Sequence, residues 1–428
     1  MKILIISCYF PPFNIIGAVR VGKMAKYLSM FGHDIKVITA DKHDLKKELP
    51  LEMAKSNILS TNSINVHFFI KKITEKYRKI GIYERKSEHS VKLKENSKFL
   101  MKLLLLYKNI FYLPDKHIGW FPFAFFRSSR LIKTWKPDLI YASAMPFTSL
   151  LIGYALHKRH KIPWIAELRD LWVDNPYYNY SSIRKKIECK VERLILSSTK
   201  GLITVSEPLA HILREKYCLP VEIVLNGFDQ DDYPAIDRKK YQNRGLKIAY
   251  TGSIYQGRRD PSLFFKALQL MGEQAKKIKV SFYGPDFDML PIMVEQYNIQ
   301  GTVEINSPVS YQRSLFIQQE ADILLLLLWD DPQEKGVYTG KLFEYLGARR
   351  PILAIGYPSS AAAELIINRQ AGVALNDPEK IARQLKQWLI QIQETGSIPD
   401  LPPTINEGLS RKEQARRLEN FMMKITKI

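Results

Sequence analysis

Short apolar runs alternate with amphipathic stretches along most of the chain, in two series separated by a polar segment. In the first series, the apolar runs Ile3–Ile6 and Ile35–Thr39 flank an amphipathic stretch at Arg20–Met30, which predicts a strand, a helix and a second strand. In the second series, the run ADILLLLLW (321–329) is typical of a strand buried in a parallel sheet and is too short to cross a membrane. The pattern predicts an α/β protein with two doubly wound, Rossmann-like domains.

The length of 428 residues also favours two domains, because it exceeds what one ordinary hydrophobic core supports. Residues 229–245 are polar and irregular and are predicted to be the linker. We therefore expect an N-terminal domain over 1–235 and a C-terminal domain over 245–405. A last helix over 406–428 is expected to cross back to the N-terminal domain.

The charge of the chain is unusual, with 64 basic and 43 acidic residues and a formal net charge of +21. Such an excess indicates a polyanionic partner, either nucleic acid or an anionic membrane surface.

Three widely spaced cysteines (Cys8, Cys189 and Cys218) predict neither a disulfide framework nor a zinc site and fit a reducing cytoplasm. The first ten residues resemble a buried strand more than a signal peptide, because PPF and a polar stretch follow them.

A poorly periodic, basic insert is predicted over about 41–118. Within it, residues 71–108 carry twelve basic and four acidic side chains, and leucines interleave with lysines near residue 100. A basic helix with an apolar face is typical of an element that lies on an anionic membrane. The alternative is a solvated surface helix that packs on its domain through the leucines.

The stretch Tyr338–Gly356 carries the clearest chemical signal. It predicts a turn, a helix from Lys341 to Ala348, and then a short buried strand after Pro351. A lysine at a helix N-terminus suits a phosphate, and Glu344 one turn later suits a pair of ribose hydroxyls. The alternative is a core helix that carries a surface Lys–Glu pair.

Other patterns argue against particular classes of site. The loop after the first strand lacks the G-x-G-x-x-G pattern of dinucleotide-binding proteins. Asp229–Asp232 offers a metal-binding D-x-D pattern, but its place in the polar linker favours solvated acids. His117 is a lone histidine in the insert and is not assigned a role.

Five segments, in this order, resemble the retaining glycosyltransferase family 4 of the GT-B fold, over nearly the whole chain. They begin with YFPPFNIIGAVRVGKMAKYLSMFGHDIKVIT and WIAELRDLW in the first half, followed by ITVSEPLAHIL with IVLNGFD. IAYTGSIYQGRRDP and TGKLFEYLGARRPILA follow in the second half. The resemblance implies a nucleotide-sugar donor, retention of the anomeric configuration, and two domains that face each other across a cleft.

The resemblance also implies donor-binding residues. The loop at Gly17 would approach the donor diphosphate or sugar, although Ala18 stands where the family usually has a second glycine. Lys341 and either Arg258 or Arg259, after Gly252 and Ser253, would bind the diphosphate. Glu344 matches the glutamate that binds the ribose, and Asn306–Ser310, which includes Val309, matches the loop beside the nucleobase. Gly336 stands where the family often has a second glutamate, which leaves the donor-sugar contacts open.

The acceptor side is defined less clearly. The family often has a histidine motif where this chain reads ASAMPF (142–147). The polar residues expected near the acceptor are therefore Glu167, Arg169 and Asp170, with Arg20 as a further cation. Glu167 or Asp170 would serve as a general base or bind the acceptor, since a base needs reach and a suitable pKa. The alternative is a structural ion pair at the strand end.

Together these observations predict a glycosyltransferase that needs no metal or other cofactor and acts in cell-surface polysaccharide, O-antigen or capsule synthesis. Its expected partners are a nucleotide sugar, a glycan or polyprenyl-linked acceptor and an anionic membrane, with the protein peripheral on the cytoplasmic face. The rivals are a related 2-epimerase, a non-catalytic GT-B relative and a nucleic-acid-binding protein. No nucleic-acid partner is expected, because the basic residues lie beside leucines rather than beside stacking aromatics.

Overall fold

The computed structural model describes residues 1–41, 45–66, 83–87, 90–93, 107, 112–178, 180–234, 236, 245–255, 257–285 and 287–426. The chain forms two compact units. The first unit comprises Met1–Thr204, Ala210–Glu222 and Asn420–Ile428. The second unit comprises Val205–Leu209 and Ile223–Glu419.

The first unit is built on a sheet with helices in the connections. The strands of this part of the chain are β1 (Lys2–Ile6), β2 (Asp34–Ala40), β3 (Ile58–Thr61), β4 (Tyr83–Ser87), β5 (Ser90–Leu93), β6 (Leu139–Ala144), β7 (Trp164–Leu168), β8 (Gly201–Thr204) and β9 (Val221–Ile223). The helices are α1 (Ile16–Met30), α2 (Phe121–Trp135), α3 (Thr148–His160), α4 (Ser182–Leu196) and α5 (Glu207–Tyr217). The seven-stranded sheet has the order β3-β2-β1-β6-β7-β8-β9, and β4 pairs with β5 in a separate antiparallel hairpin.

The second unit repeats this architecture around a parallel sheet of six strands in the order β12-β11-β10-β13-β14-β15. Its strands are β10 (Leu246–Thr251), β11 (Ile278–Tyr283), β12 (Val303–Asn306), β13 (Ile323–Leu327), β14 (Ile352–Ile355) and β15 (Gly372–Leu375). Its helices are α6 (Ser262–Met271), α7 (Leu290–Gln296), α8 (Tyr311–Glu320), α9 (Gly340–Ala348), α10 (Ala361–Asn368) and α11 (Pro378–Thr395), followed by α12 (Arg411–Thr426).

Sheet order explains why polar residues collect at one edge of each unit. In the first sheet the chain order reverses between β1 and β6, and in the second it reverses between β10 and β13. Parallel strands on the two sides of such a switch point leave a crevice at their carboxyl ends, where open α/β sheets bind ligands. The loops after β1, β6 and β7 therefore belong to one edge, and those after β10 and β13 belong to the other.

Helix α9 forms as the sequence predicts and is fixed by its apolar side. Leu342, Phe343, Tyr345 and Leu346 have no exposed surface and lie in one apolar cluster of the second unit. Full burial of such side chains contributes about 1.5–3 kcal/mol each to the free energy of unfolding. The helix ends where Arg349 adopts a left-handed conformation, with φ of 56°, just before Pro351.

Some boundaries differ from the sequence-based expectation. Residues 223–234, predicted to end the first domain and begin the linker, belong to the second unit. The reason is packing: Phe228 is buried in the apolar cluster around α9, and Tyr233 packs against it. The amide of Arg411 also donates to the Phe228 carbonyl. The last helix belongs to the second unit through Glu419 and to the first from Asn420 onwards.

The region predicted to be a poorly periodic insert contains regular elements. Residues 41–118 include β3 and the β4–β5 hairpin, and α2 begins just after this region. Most of the basic stretch 71–108, including the leucine-rich segment near residue 100, lies outside the described residues. Among the helices of the described ranges, none is long and apolar enough to cross a membrane.

Candidate functional site

In the second unit, the site predicted around Lys341 and Glu344 forms at the N-terminus of α9. Thr339 precedes the helix in an extended conformation, and its side chain makes no capping hydrogen bond. The Leu342 amide donates to the Thr339 carbonyl, whereas the amides of Gly340 and Lys341 have no capping side chain, and the helix dipole favours an anion there. The Lys341 ammonium donates to the Tyr250 hydroxyl over 2.7 Å and lies 4.1 Å from the centre of that ring.

The turn after β10 is shaped to admit Lys341. Gly252 has φ of +125°, which L side chains rarely adopt, and a Cβ atom built on it would lie 2.5 Å from Lys341 Cε. The Tyr250 hydroxyl in turn donates to the Ser253 carbonyl over 2.5 Å. Gly252, Ser253 and Lys341, three of the predicted donor-binding residues, therefore meet at the carboxyl end of β10.

Burial and a neighbouring cation weaken the proton affinity of Lys341. Desolvation and the positive charge of Arg259 lower its pKa to about 7, and the nearby Glu344 carboxylate opposes the change only in part. The site thus contains a cation that gains stability from an added anion. Of the two predicted arginines, Arg259 is the one whose charge acts on Lys341, whereas the exposed Arg258 lies with its guanidinium 4.8 Å from the Trp329 ring centre.

Glu344 is fixed by a hydrogen-bonding network at the same helix. Gln318 Nε2 donates to Glu344 Oε2 over 3.2 Å, and the Tyr233 hydroxyl donates to the Glu344 carbonyl over 2.6 Å. Burial raises the pKa of Glu344, against the opposing effects of the Gln318 hydrogen bond and of the charges on Arg411 and Lys341. A partly desolvated carboxylate in this position can accept hydrogen bonds from ligand hydroxyls.

Three polar atoms around this edge are buried and lack a hydrogen-bond partner among the described residues. They are Thr339 Oγ1, Gln318 Oε1 and Asn306 Nδ2. Buried polar groups are normally hydrogen-bonded, so each unpaired atom needs an explanation. Asn306 ends β12 and begins the segment predicted to meet a nucleobase, in which Val309 is half-buried and packs on the apolar cluster around α9.

In the first unit, Glu167 and Arg20 form a fully buried ion pair. Arg20 donates from Nε over 3.0 Å and from Nη2 over 2.8 Å to Glu167 Oε1, and Ser143 Oγ donates to Oε2. Burial opposes ionisation of Glu167, but the charges of Arg20 and Arg169 outweigh it and lower the pKa of this carboxyl. The sequence allowed two roles for Glu167, in catalysis or in a structural ion pair, and this arrangement matches the structural ion pair.

Arg169 follows β7 and lies beside Gly17 at the N-terminus of α1. Its Nε donates to the Ala144 carbonyl over 2.6 Å, and its Nη2 donates to the Met145 carbonyl over 3.0 Å. A Cβ atom at Gly17 would lie 2.7 Å from Arg169 Nη1, so the space that this glycine provides is used by the guanidinium. Asp170, next in the chain, is half-buried.

His117, left without a role by the sequence, lies at the same edge of the first sheet. Its Nε2 is 2.9 Å from the Tyr9 hydroxyl, and its backbone amide donates to Asp115. Burial raises the pKa of the Asp115 carboxyl, against hydrogen bonds from Thr148 and His117. Tyr9 follows β1, Asp115 and His117 precede α2, and Thr148 is the first residue of α3.

Sequence reasoning missed Tyr250 and Gln318, which hold Lys341 and Glu344 in place. A signal existed for Tyr250, because a tyrosine inside a buried strand needs a partner for its hydroxyl. Gln318 lies on α8 and donates to Thr251 as well as to Glu344, a link between two elements that periodicity does not reveal.

Gly336 stands at the position where the family often has a second glutamate. A Cβ atom built on it would lie 3.1 Å from Pro208, so this position is closely covered.

The family profile of Glycosyltransferase Family 4 matches residues 17–232. Among curated proteins, none matches the chain in sequence. Solved structures match over the whole fold. They include a glycosyltransferase from Rickettsia africae ESF-5, with 15% identity, a TM-score of 0.62, and coverage of 100% of this chain and 98% of that one.

Two further structures show the same fold. Anabaena HepE, solved with UDP and glucose, has 11% identity and a TM-score of 0.60, and the match covers 99% of each chain. WaaG, a glycosyltransferase involved in lipopolysaccharide biosynthesis, has 13% identity and a TM-score of 0.56, with 98% of this chain and 95% of that chain covered. The predicted GT-B architecture of two doubly wound domains is therefore confirmed, and because the family profile spans half of the chain, the protein belongs to Glycosyltransferase Family 4 and is a glycosyltransferase.

Proposed function

We propose that the protein transfers a sugar from a nucleoside-diphosphate donor that binds to its second unit. The observation that carries the proposal is the desolvated Lys341 ammonium at the N-terminus of α9, with Glu344 one turn further along. A diphosphate would lie against the ammonium, Arg259 and the first amides of the helix. The ribose hydroxyls would donate to Glu344, and the base would meet the segment Asn306–Ser310.

This arrangement suits the charge that develops during transfer. As the glycosidic bond breaks, the leaving nucleoside diphosphate becomes more negative, and fixed cations and helix amides stabilise that charge without reorganisation. We therefore propose transfer without a metal or other cofactor, with Lys341 and Arg259 as the cations. Retention of the anomeric configuration follows from the family resemblance. HepE, which shares the fold and has been solved with UDP-glucose, supports a sugar nucleotide as the donor. WaaG, which shares the fold and is involved in lipopolysaccharide biosynthesis, supports a glycan as the acceptor.

On the acceptor side, we propose different roles for the two carboxylates. Glu167, buried against Arg20, positions the loop after β7 and with it Arg169. Asp170 is half-buried at the end of that loop and is the better candidate to bind the acceptor hydroxyl or take up its proton. Gly17 and Arg169 lie together at the N-terminus of α1 and would face the donor sugar or the acceptor.

We propose a lipid-linked or growing glycan as the acceptor, in the synthesis of a cell-surface polysaccharide such as O-antigen or capsule. The net charge of +21 supports association with an anionic membrane at its cytoplasmic face, where such an acceptor is presented. The description of WaaG as an enzyme of lipopolysaccharide synthesis supports this class of acceptor.

A thermal-shift screen against nucleoside diphosphates and nucleotide sugars tests the donor site. At about 100 times its dissociation constant, a ligand stabilises the fold by about 2.7 kcal/mol, which shifts the melting temperature measurably. The shift should occur with one class of donor and disappear in Lys341→Ala and in Glu344→Ala. It should persist in Lys386→Ala, which removes an exposed lysine of α11. If the well-folded wild-type protein shows no shift with any nucleotide, the donor site is refuted.

A further inference from the structure

Helix α4 (Ser182–Leu196) buries three charged side chains and exposes three large apolar ones, and its buried apolar side chains, Ile195 and Leu196, lie at its C-terminal end. Arg184, Glu188 and Glu192 are each at most 3% exposed. Ile183, Ile187 and Leu194 are 75%, 48% and 59% exposed. A helix on the surface of a soluble protein normally has the opposite pattern, with its apolar stripe facing the core. Interior packing therefore does not explain the apolar face of α4.

The inward polar side chains have defined partners, so this orientation of the helix is fixed. Arg184 Nε donates to Glu188 Oε1 over 2.6 Å, and Trp172 Nε1 donates to Glu188 Oε2 over 3.0 Å. Glu192 accepts hydrogen bonds from the Val173 amide, the Lys216 ammonium and the Tyr217 hydroxyl. Rotation of the helix to bury its isoleucines would leave these charges without partners, which is strongly unfavourable.

The outward side chains form one continuous stripe. Ile183, Ile187, Lys190 and Leu194 recur at intervals of four, three and four residues, which places them on one face over about 16 Å of helix. Lys186 and Arg193 border this stripe and are also exposed. We define these six residues (Ile183, Lys186, Ile187, Lys190, Arg193 and Leu194) as the α4 surface. Both acidic residues of the helix face inwards, so the α4 surface carries three positive charges among three large aliphatic side chains.

Helix α11 of the second unit shows the ordinary pattern and serves as an internal reference. Its apolar side chains Ile381, Leu385, Trp388 and Leu389 are buried, and its exposed positions are mainly polar. Ile390 is an exception, as a single isoleucine that is 51% exposed. Isolated exposed apolar residues are normal, whereas a stripe over three turns bordered by basic residues requires an explanation.

We propose that the α4 surface docks on an anionic lipid bilayer, with Ile183, Ile187 and Leu194 inserted at the level of the headgroups and the basic side chains against lipid phosphates. Charge decides the occupant, because the exposed charges of α4 are all positive and a basic helix with an apolar face has the composition of an interfacial helix. Tyr177 and Tyr180, which precede the helix, are 39% and 40% exposed, and tyrosine is enriched at the same interface. The inference rests on the proposed membrane association and assigns it to a surface other than the basic stretch 71–108.

Vesicle co-sedimentation of the full-length protein tests the proposal. The vesicles contain either phosphatidylcholine alone or equal parts of phosphatidylglycerol and phosphatidylcholine. Wild-type protein should sediment with the anionic vesicles. The double variant Lys186→Glu/Lys190→Glu should bind at least about 25-fold more weakly, since each basic residue near an anionic surface contributes about fivefold. The triple variant Ile183→Ser/Ile187→Ser/Leu194→Ser should also bind more weakly than wild type at the same salt concentration, since each buried CH₂ contributes about fourfold.

Ile390→Ser is the matched control, because it removes an isoleucine of similar exposure from α11, and it should bind like wild type. The thermal shift with a nucleotide sugar should persist in every α4 variant, which shows that each is folded and separates this test from that of the donor site. Vesicle binding that is unchanged in both α4 variants would overturn the proposal and direct attention to other basic segments. Loss of a concentration-dependent dimer in the triple variant, without vesicle binding by wild type, would identify the stripe as a protein interface and overturn it as well.

Discussion

At the scale of single residues, Lys341 couples its own protonation to the binding of the donor. Burial and the charge of Arg259 lower its pKa to about 7, so the unliganded protein is expected to lose this ammonium more readily than that of an exposed lysine. A diphosphate within reach would favour the charged form and raise the pKa on binding. Donor binding is therefore expected to take up a proton, and the affinity should depend on how readily Lys341 is protonated in the free protein.

The first prediction follows from the direction of this coupling. Above pH 7 the free protein loses the ammonium, so the dissociation constant of a nucleotide sugar should rise with pH, by up to about tenfold per unit. Titration calorimetry between pH 6 and pH 9 measures the trend, because the diphosphate diester of a nucleotide sugar stays ionised throughout. Lys341→Arg should bind with little pH dependence, since arginine remains charged. An equally steep pH dependence in Lys341→Arg would assign the titration to another group.

The second prediction concerns Gly252, whose missing side chain makes room for Lys341. In Gly252→Ala, the new methyl group would lie 2.5 Å from Lys341 Cε and displace the ammonium, so nucleotide-sugar binding should be lost. The positive φ adds about 1–3 kcal/mol of backbone strain. Gly257→Ala is the control, because it also has a positive φ but nothing lies within 4 Å of its Cβ position. Binding and melting curves of both variants separate the two effects, and equal loss of binding in both would contradict the steric account.

At the scale of the elements, Arg20 and Glu167 join α1 to β7 through a buried ion pair, which is the basis of the third prediction. Removing one partner leaves an uncompensated buried charge, so Arg20→Met should lower the free energy of unfolding by about 3–5 kcal/mol. Arg20→Met combined with Glu167→Leu should lose less, because neither charge of the pair then remains buried without the other. Urea unfolding of the single and double variants measures the difference. A double variant less stable than Arg20→Met would indicate that packing, rather than charge, determines the loss.

The stability that the Arg20–Glu167 pair contributes should fall on acidification. The folded-state pKa of Glu167 is lowered, so its contribution to stability is complete above the ordinary carboxyl range and is lost as pH falls through the lowered value. Wild type should therefore lose stability on acidification more steeply than the double variant. The same variants test the role of Glu167. If Glu167 is a positioning residue, its replacement should lower activity only through stability and the order of the loop after β7. If it is the general base, its replacement should abolish turnover even in folded protein.

The elements that the sequence predicted well are those whose signal is local. The helix at Lys341–Ala348 combines an apolar pattern with a stop at Pro351, and ADILLLLLW contains the buried strand β13. The elements and contacts that it missed depend on tertiary structure. Phe228 and Tyr233 lie in a segment that is polar overall, so their packing on α9 is not visible in its composition. Gln318 reaches Glu344 from a different helix, and only the fold brings the two together.

The inverted pattern of α4 illustrates the same limit. Periodicity identifies the helix and its stripe of isoleucine and leucine, and the usual assumption places that stripe in the core. The hydrogen-bond donors that hold Glu188 and Glu192 inside come from other segments of the first unit, namely Trp172, Val173 and residues of α5, whereas Arg184 pairs with Glu188 of the same helix. The spacing of these residues is compatible with an amphipathic helix, and the three-dimensional partners decide which face points to solvent.

At the scale of the whole molecule, the net charge of +21 and the apolar stripe of α4 should both contribute to binding an anionic membrane. The two contributions should respond differently to salt. Exposed charges are screened over about 10 Å at 0.1 M salt and about 3 Å at 1 M, whereas apolar insertion is not weakened by screening. Binding of wild type to anionic vesicles is therefore expected to fall steeply as salt increases and then to level off above zero.

The α4 variants should divide this curve into its two parts, which is the fourth prediction. The serine variant at Ile183, Ile187 and Leu194 should retain the steep fall but reach zero at high salt, because its residual apolar contact is gone. The variant with Lys186 and Lys190 reversed should bind weakly and show a flatter salt dependence, because fewer charges face the lipid. Co-sedimentation over a salt series measures all three curves. If wild type and the serine variant reach zero together, the stripe does not enter the bilayer, and charge alone accounts for the association.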